Sequence, residues 1–432
     1  MTRAPFSGIA YAYRLVAVAL SLIAPVWLAR RVRTGKEDPT RLRERYGLTD
    51  RARPPGPLIW CHGASVGEAQ TLLVLIAALT ARGHKVVLTT GTVTSAALMA
   101  ERLPAGAFHQ YLPLDRRAWA RRFLDHWRPH LVIWSESELW PNTLAEIGER
   151  GLPLYLANGR LSDRALRGWR RWPGFARSVL APFTGVLAQS PEDASRFAML
   201  GARDVRTAGN LKLAAPALPA KNSDVAALKA AIGNRPCWLA ASIHPGEDAI
   251  VAEVHSALRA QFPDLLTVVA PRHPPKADAM AATFESRGCT VTRRSRGEAI
   301  TAATAIHIAD TLGELGTLFR ACDLVMMGKS FTVGGGQNPA EPAKLGCAVV
   351  CGPDMSNFRE LTAAMAKTGA LVQVDSLAEL TAAIARLLAD PAARQHTGQA
   401  GAAFIAAGDA ALATTLAILE PHLLNPIDRQ IR

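Results

Sequence analysis

The chain has 432 residues, 49% hydrophobic and 20% charged, which excludes a disordered polymer and is too long for one ordinary core. Lys and Arg number 49 against 36 Asp and Glu, and the net +13 suits anionic partners: nucleic acid, an anionic membrane face or phosphorylated substrates. Aromatics are only 6%, with no zinc-finger spacing and no basic heptads, so nothing supports a nucleic-acid partner.

Gly8 to Leu28 is mostly apolar, broken by Arg14 and Pro25. Its charge-free part, Leu15 to Leu28, falls short of the roughly 20 residues of a comfortable membrane span, and snorkelling of Arg14 lengthens the usable stretch. Arg30, Arg31, Arg33 and Lys36 follow at once, the flank expected on a cytoplasmic side. Charge after the apolar core, without a small-residue cleavage site, disfavours a signal peptide. The readings left are a single anchor helix, a helix lying in the membrane interface, or a plain buried helix.

Arg41 to Tyr46 reads as a basic helical connector, and Arg53 to Pro57 as a Pro-rich linker. Leu58 to Cys61 predicts a buried strand, the glycines Gly63 and Gly67 a loop, and Ala69 to Leu79 a helix. Glu68 stands at the mouth of that helix, either as a carboxylate complementing the helix dipole or as a general base. Strands are then expected at Lys85 to Thr89, Tyr111 to Asp115, Leu131 to Trp134, Leu154 to Ala157 and Gly185 to Ala188. Helices lie between them, including Arg117 to Trp127. Glu136 and Glu138 end one strand, and the Arg160 and Arg164–Arg171 cluster follows another. The rhythm pauses from Gly209 to Asn234, where Ala214 to Ala220 looks like a linker and Lys212 sits at the junction. It restarts with strands at Trp238 to Ala241, Leu265 to Ala270, Ala305 to Ile308, Leu324 to Met327 and Ala348 to Cys351. This βαβ alternation predicts two parallel, doubly wound Rossmann-like halves, with a ligand cleft at the carboxyl ends of their strands. The six cysteines are scattered, without metal-site spacing, and read as reduced.

Polar loops at strand ends carry the candidate chemistry. Arg272 in Pro271-Arg-His-Pro274 is either a fork for a phosphate or carboxylate or a solvated turn residue. Glu247, closing Ala241-Ser-Ile-His-Pro-Gly-Glu247, opens a helix that suits an anion, and Glu314 is either a helix-start carboxylate or part of a site. In Gly334-Gly-Gly-Gln-Asn-Pro-Ala-Glu341 three glycines permit close backbone approach. Glu341 reads there as an acceptor for ribose hydroxyls or as a simple capping residue. The loop lacks the Walker Lys-Ser/Thr, and no GxGxxG follows a first strand, so neither an ATPase nor a dehydrogenase fits.

Six of these segments, in order, resemble the 3-deoxy-D-manno-octulosonic acid (Kdo) transferases of lipopolysaccharide synthesis. They are Gly63-Ala-Ser-Val-Gly-Glu68, Glu136-Ser-Glu-Leu-Trp-Pro-Asn142, Ala157-Asn-Gly-Arg-Leu-Ser162, Gly209-Asn-Leu-Lys212, Pro271-Arg-His-Pro274 and Gly335-Gly-Gln-Asn-Pro-Ala-Glu341. The resemblance covers almost the whole chain, including Arg41-Leu-Arg-Glu-Arg-Tyr-Gly47. It implies an α/β GT-B fold, two Rossmann-like domains with a cleft between them, and an N-terminal membrane-anchor helix. The implied reaction moves Kdo from CMP-Kdo to the lipid A precursor (lipid IVA) at the cytoplasmic face of the inner membrane, with neither cofactor nor metal. Glu68 is then the general base, and Glu136 and Lys212 stabilise the transition state. Pro271, Arg272, Leu312, Gly313, Glu314, Asn338, Pro339, Ala340 and Glu341 bind CMP. Where that family often has two glycines before a serine, this chain has Gly328-Lys-Ser330. The expected division is an anchor and connector over 1–50, an acceptor domain over 51–213, a linker over 214–234 and a CMP-sugar domain over 235–432. The last helix is expected to pack back on the N-terminal domain. Rival readings are another membrane-associated GT-B enzyme using a UDP-sugar and a non-enzymatic nucleotide-sugar-binding module.

Overall fold

The computed structural model describes residues 8–214, 216–332 and 334–423; Ala215 of the expected linker and the chain ends, 1–7 and 424–432, lie outside the described residues. Pro216–Ala406 forms one compact unit, and the described residues before and after it form the other.

The first unit is built on a seven-stranded parallel sheet: β1 (Leu58–His62), β2 (Lys85–Thr90), β3 (Ala107–Tyr111), β4 (Leu131–Ser135), β5 (Leu154–Gly159), β6 (Gly185–Ala188) and β7 (Val205–Thr207). The spatial order is β3-β2-β1-β4-β5-β6-β7, so the winding reverses between β1 and β4, where doubly wound sheets place their ligands. Alternate residues of β1 serve opposite faces. Leu58 and Trp60 join a core with Phe123, Trp127 and Trp134, whereas Ile59 and Cys61 join one with Leu72, Ile76 and Leu187. Ala411, Leu416 and Leu419 of the last helix, Pro391–Leu419, complete that second core. Gly209 has φ +94°, and a Cβ there would lie 2.8 Å from the Ala411 Cβ, so only glycine lets this turn meet the helix.

Two segments differ from expectation. The third strand is Ala107–Tyr111, not Tyr111 to Asp115. Its polar residues hide the alternation: inside, His109 meets the Thr90 hydroxyl and the Gln110 carbonyl oxygen accepts from the Trp127 indole. The basic connector is a 3-10 helix, Pro39–Tyr46, whose Arg45 is buried. Arg45 pairs with Glu37 and donates to the carbonyls of Gly91 and Leu112, so it clamps the loops that follow β2 and β3.

The apolar N-terminal stretch forms a 26-residue helix, Gly8–Arg33. It lies on the first unit along one stripe: Ala10, Ser21, Ala24 and Leu28 are buried, and the Tyr13 hydroxyl donates to Asp115. The other face is bare, with Leu22 78% and Val26 75% exposed.

The second unit repeats the pattern with β8 (Cys237–Ile243), β9 (Leu266–Pro271), β10 (Val291–Arg293), β11 (Ile306–Ile308), β12 (Leu324–Met327), β13 (Ala348–Cys351) and β14 (Val372–Gln373). Their order is β10-β11-β9-β8-β12-β13-β14, all parallel, with the reversal between β8 and β12. Within the stretch expected to be a linker, Asn222–Ile232 is a helix that packs on the helix Leu315–Ala321 of this unit. Its alanine-rich sequence carried too weak an apolar stripe to announce it. All six cysteines are free thiols.

Candidate functional site

In the first unit the loops after β1 and β4 flank the reversal point. Ser65 caps the helix Val66–Ala81, its Oγ accepting from the Glu68 amide at 3.3 Å. The Glu68 carboxylate folds back to accept from the Ala64 amide at 2.8 Å and the Ser65 hydroxyl at 3.2 Å. Burial pushes the Glu68 carboxyl above the usual range; the Glu136 charge adds to this, while the Ala64 amide and Lys212 oppose it. A partly buried carboxylate held nearer neutrality is suited to taking a proton.

Glu136 follows β4 with φ +57°, a left-handed conformation unusual outside glycine and asparagine. Its amide donates to the Ala157 carbonyl, and its carboxylate meets the Lys212 ammonium at 2.6 Å as an ion pair. Lys212 lies in the short 3-10 turn Leu211–Leu213, whose Asn210 cap accepts from the Lys212 amide. Asn158, at the end of β5 and also left-handed, accepts from the Leu211 amide at 3.0 Å. Thus Glu68, Glu136 and Lys212 form one electrostatic cluster, and Asn158 fixes the third member. Glu138 belongs to the same cluster. The protein around its carboxyl and the Glu68 charge push it up to about 7. The sequence pairing of Glu136 with Glu138 was the signal for this. Nothing local marked Asn158, whose partner lies 53 residues away.

In the second unit Pro271 ends β9, and the Arg272 amide donates to the Ile243 carbonyl. Asn338 sits beside Glu341, its Nδ2 donating to Oε1 at 3.2 Å, while its own Oδ1 accepts from the Ala340 amide. Pro339 caps the helix Ala340–Lys344. Burial raises the Glu341 carboxyl, opposed by Asn338 and by the Arg272 charge, which places Arg272 near this group. Gly336 has φ +73°, and a Cβ there would strike the Met355 sulfur, so the glycines shape this loop. Leu312, Gly313 and Glu314 stand apart. Leu312 is 81% exposed, and the Glu314 carboxylate is held by Arg294 and Thr311. Among the described residues no hydrogen bond or ion pair joins these three to Arg272, Asn338 or Glu341.

The buried Glu247 organises this region. Its carboxylate accepts from the amides of His244, Lys329, Ser330 and Phe331, tying the loop after β8 to the loop after β12. Its place in an anion-suited strand end was legible, but its role is inward. Ser330 is buried too, donating to Met327 and accepting from the Gly352 amide, so its place is structural. Lys329 takes φ +58°, the conformation that favours glycine at this position.

A family model described as 3-deoxy-D-manno-octulosonic-acid transferase (kdotransferase) matches residues 40–215. The 3-deoxy-D-manno-octulosonic acid transferase of Bordetella pertussis is 35% identical over 426 residues, 95% of this chain and 99% of that protein. That of Haemophilus influenzae is 32% identical, over 89% and 91% of the two chains. Among solved structures, the UDP-GlcNAc 2-epimerase of Neisseria meningitidis bound to UDP-GlcNAc is similar with TM-score 0.50 and 12% identity. It covers 84% of this chain and all of that one, a likeness of fold alone. With relatives of this identity aligned over nearly their full length, the chain belongs to the 3-deoxy-D-manno-octulosonic acid (Kdo) transferase family.

Proposed function

We propose that this protein is an inverting glycosyltransferase that moves Kdo from CMP-Kdo to the lipid A precursor, lipid IVA, in lipopolysaccharide synthesis. Family membership supports the reaction, and the cluster of Glu68, Glu136 and Lys212 at the reversal point is the observation that carries the mechanism. Glu68 takes the proton of the acceptor hydroxyl as its oxygen bonds to the anomeric carbon of Kdo. The bond from that carbon to the phosphate oxygen breaks, and CMP leaves with the electron pair. One displacement inverts the anomeric centre. Lys212 offsets negative charge on the departing phosphate or the Kdo carboxylate, and Glu136 holds its ammonium in place. Arg272, Asn338 and Glu341 with Pro271, Pro339 and Ala340 hold CMP. Leu312, Gly313 and Glu314 are assigned to CMP on the family resemblance alone, since Glu314 is held by Arg294 and Thr311.

The same reading places the enzyme on the cytoplasmic face of the inner membrane. The bare apolar face of Gly8–Arg33 and the exposed Arg164, Arg167, Arg170, Arg171 and Trp172 are suited to an anionic leaflet. The stripe packed on the body from Ala10 to Leu28 favours a helix lying in the interface over one crossing the bilayer. The deciding experiment is transfer from freshly generated CMP-Kdo to tetraacylated lipid A precursor, read by product mass. Wild type gains one or more Kdo masses, and Glu68→Ala gains none while still binding CMP. Transfer from a UDP-sugar instead, with UDP outcompeting CMP, would overturn the assignment of donor.

A further inference from the structure

Two adjoining cavities open between the N-terminal helix and the body of the first unit. One, of about 280 Å³, is walled by Leu20, Ile23, Trp27, Leu114, Trp119 and Trp140. Most polar groups in its wall are already used, the Trp140 indole N–H being the buried exception. Ser21 donates to the Val18 carbonyl, Tyr13 to Asp115, and Asp115 accepts from the Asn142 and Thr143 amides and the Thr143 hydroxyl. The result is a mainly apolar slot. The second cavity, of about 320 Å³, shares Ala17 and Arg116 with the first and is lined by Arg14, Arg117 and Arg121 as well. Three of its four guanidinium groups, those of Arg14, Arg117 and Arg121, pair with two carboxylates, Glu146 and Glu149, and Arg116 lies over the Trp119 ring, which leaves a positive excess.

We propose that the slot seats one acyl chain of the lipid acceptor while the arginine cavity takes a phosphate of the same molecule. The proposal rests on the transfer reading above. Charge and polarity fix the chemistry, since an apolar slot joined to a cationic pocket matches an anionic amphiphile. Connectivity selects the acceptor over a bulk lipid. Trp140 of the slot ends the loop that carries Glu136 and Glu138, and Asn142 of the arginine cavity lies in the first turn of the helix Pro141–Glu149 that follows it. Four residues of chain, at most about 14 Å, separate Glu136 from Trp140. Asp115 clamps the far end of that loop to the N-terminal helix through Asn142, Thr143 and Tyr13. An acceptor held in the slot would thus be registered against the loop that bears the charged cluster. This also gives a role to Trp140, Pro141 and Asn142, which the transfer chemistry leaves unused.

The test uses the full chain in detergent micelles and a lipid A precursor bearing a diazirine at an acyl terminus. Photolabel should fall on the peptides containing Trp27, Trp119 and Trp140 and be chased by unlabelled acceptor, not by phosphatidylglycerol at the same concentration. Label elsewhere, or equal chase by the phospholipid, overturns the proposal. Ile23→Trp, which narrows the slot and leaves the arginine cavity unchanged, should raise KM for the acylated acceptor about tenfold, the worth of about two buried methylenes, with kcat unchanged. The deacylated glucosamine disaccharide should react with the variant as with wild type; an equal loss on both substrates, or none on either, overturns it. Should wild type transfer nothing, the label pattern still decides the seat, and the transfer reading fails separately.

Discussion

The Glu136–Lys212 ion pair offers a test that generic damage does not mimic. On the proposed mechanism Glu68 must be ionised to act as base, so activity should fall as pH drops through its pKa. The Glu136 charge raises that pKa and the Lys212 charge lowers it. Glu136→Gln removes the negative member and leaves the ammonium unopposed, so the Glu68 pKa falls and the acidic limb moves to lower pH. Lys212→Met leaves the Glu136 carboxylate unopposed, and the limb moves to higher pH. The Lys212 side chain is 40% exposed and that of Glu136 17%, so solvent screens both. One unit charge at side-chain range in an effective dielectric of about 40 is worth about 1 kcal/mol, or about 0.7 pH unit. The assay is kcat/KM against pH for Kdo transfer at saturating CMP-Kdo. Both variants should also lose maximal rate, Lys212→Met more, because it removes charge compensation for the leaving group. Limbs that shift in the same direction, or not at all in folded variants with measurable activity, would refute the electrostatic coupling.

Other expectations follow from single contacts. Glu247→Gln puts an amide N–H₂ among four backbone donors; it should cost about 3 kcal/mol in urea unfolding and weaken CMP binding, read by calorimetry. Lys329→Gly relieves a left-handed side-chain position and should gain about 0.5 kcal/mol after the added chain entropy, seen as a small rise in Tm. Gly209→Val drives a branched side chain against Ala411 at φ +94° and should destabilise by about 2 kcal/mol or more in the same urea assay. Replacing Leu22 and Val26 by Ser should leave CMP binding intact and reduce flotation with phosphatidylglycerol vesicles, because both residues face outward.

What the sequence disclosed divides along one physical line. Buried parallel strands are short apolar runs, so β1, β4, β8, β9 and β12 were legible within a residue or two. β3 was not, because His109 and Gln110 are made acceptable to the interior by Thr90 and Trp127, partners that no local pattern names. The same holds in the site. Glu68, Glu136 and the Gly334–Glu341 loop stood out because each interrupts an apolar strand with polar or glycine residues. Their convergence was a different matter. Glu68 and Glu136 follow strands that pair with His62 opposite Trp134, 72 residues on in the chain (134 − 62), and only the adjacency of β1 and β4 makes them neighbours. That adjacency follows from a reversal of winding, which each βαβ unit leaves open. The inward roles of Asn158, Asp115 and Glu247 were hidden for a related reason. Each has a side-chain oxygen that accepts from a backbone amide of another segment, a partner that no local pattern names. Such residues set where the reacting groups stand without touching substrate. Their replacement should therefore appear first in stability and in the register of a loop, and only then in rate.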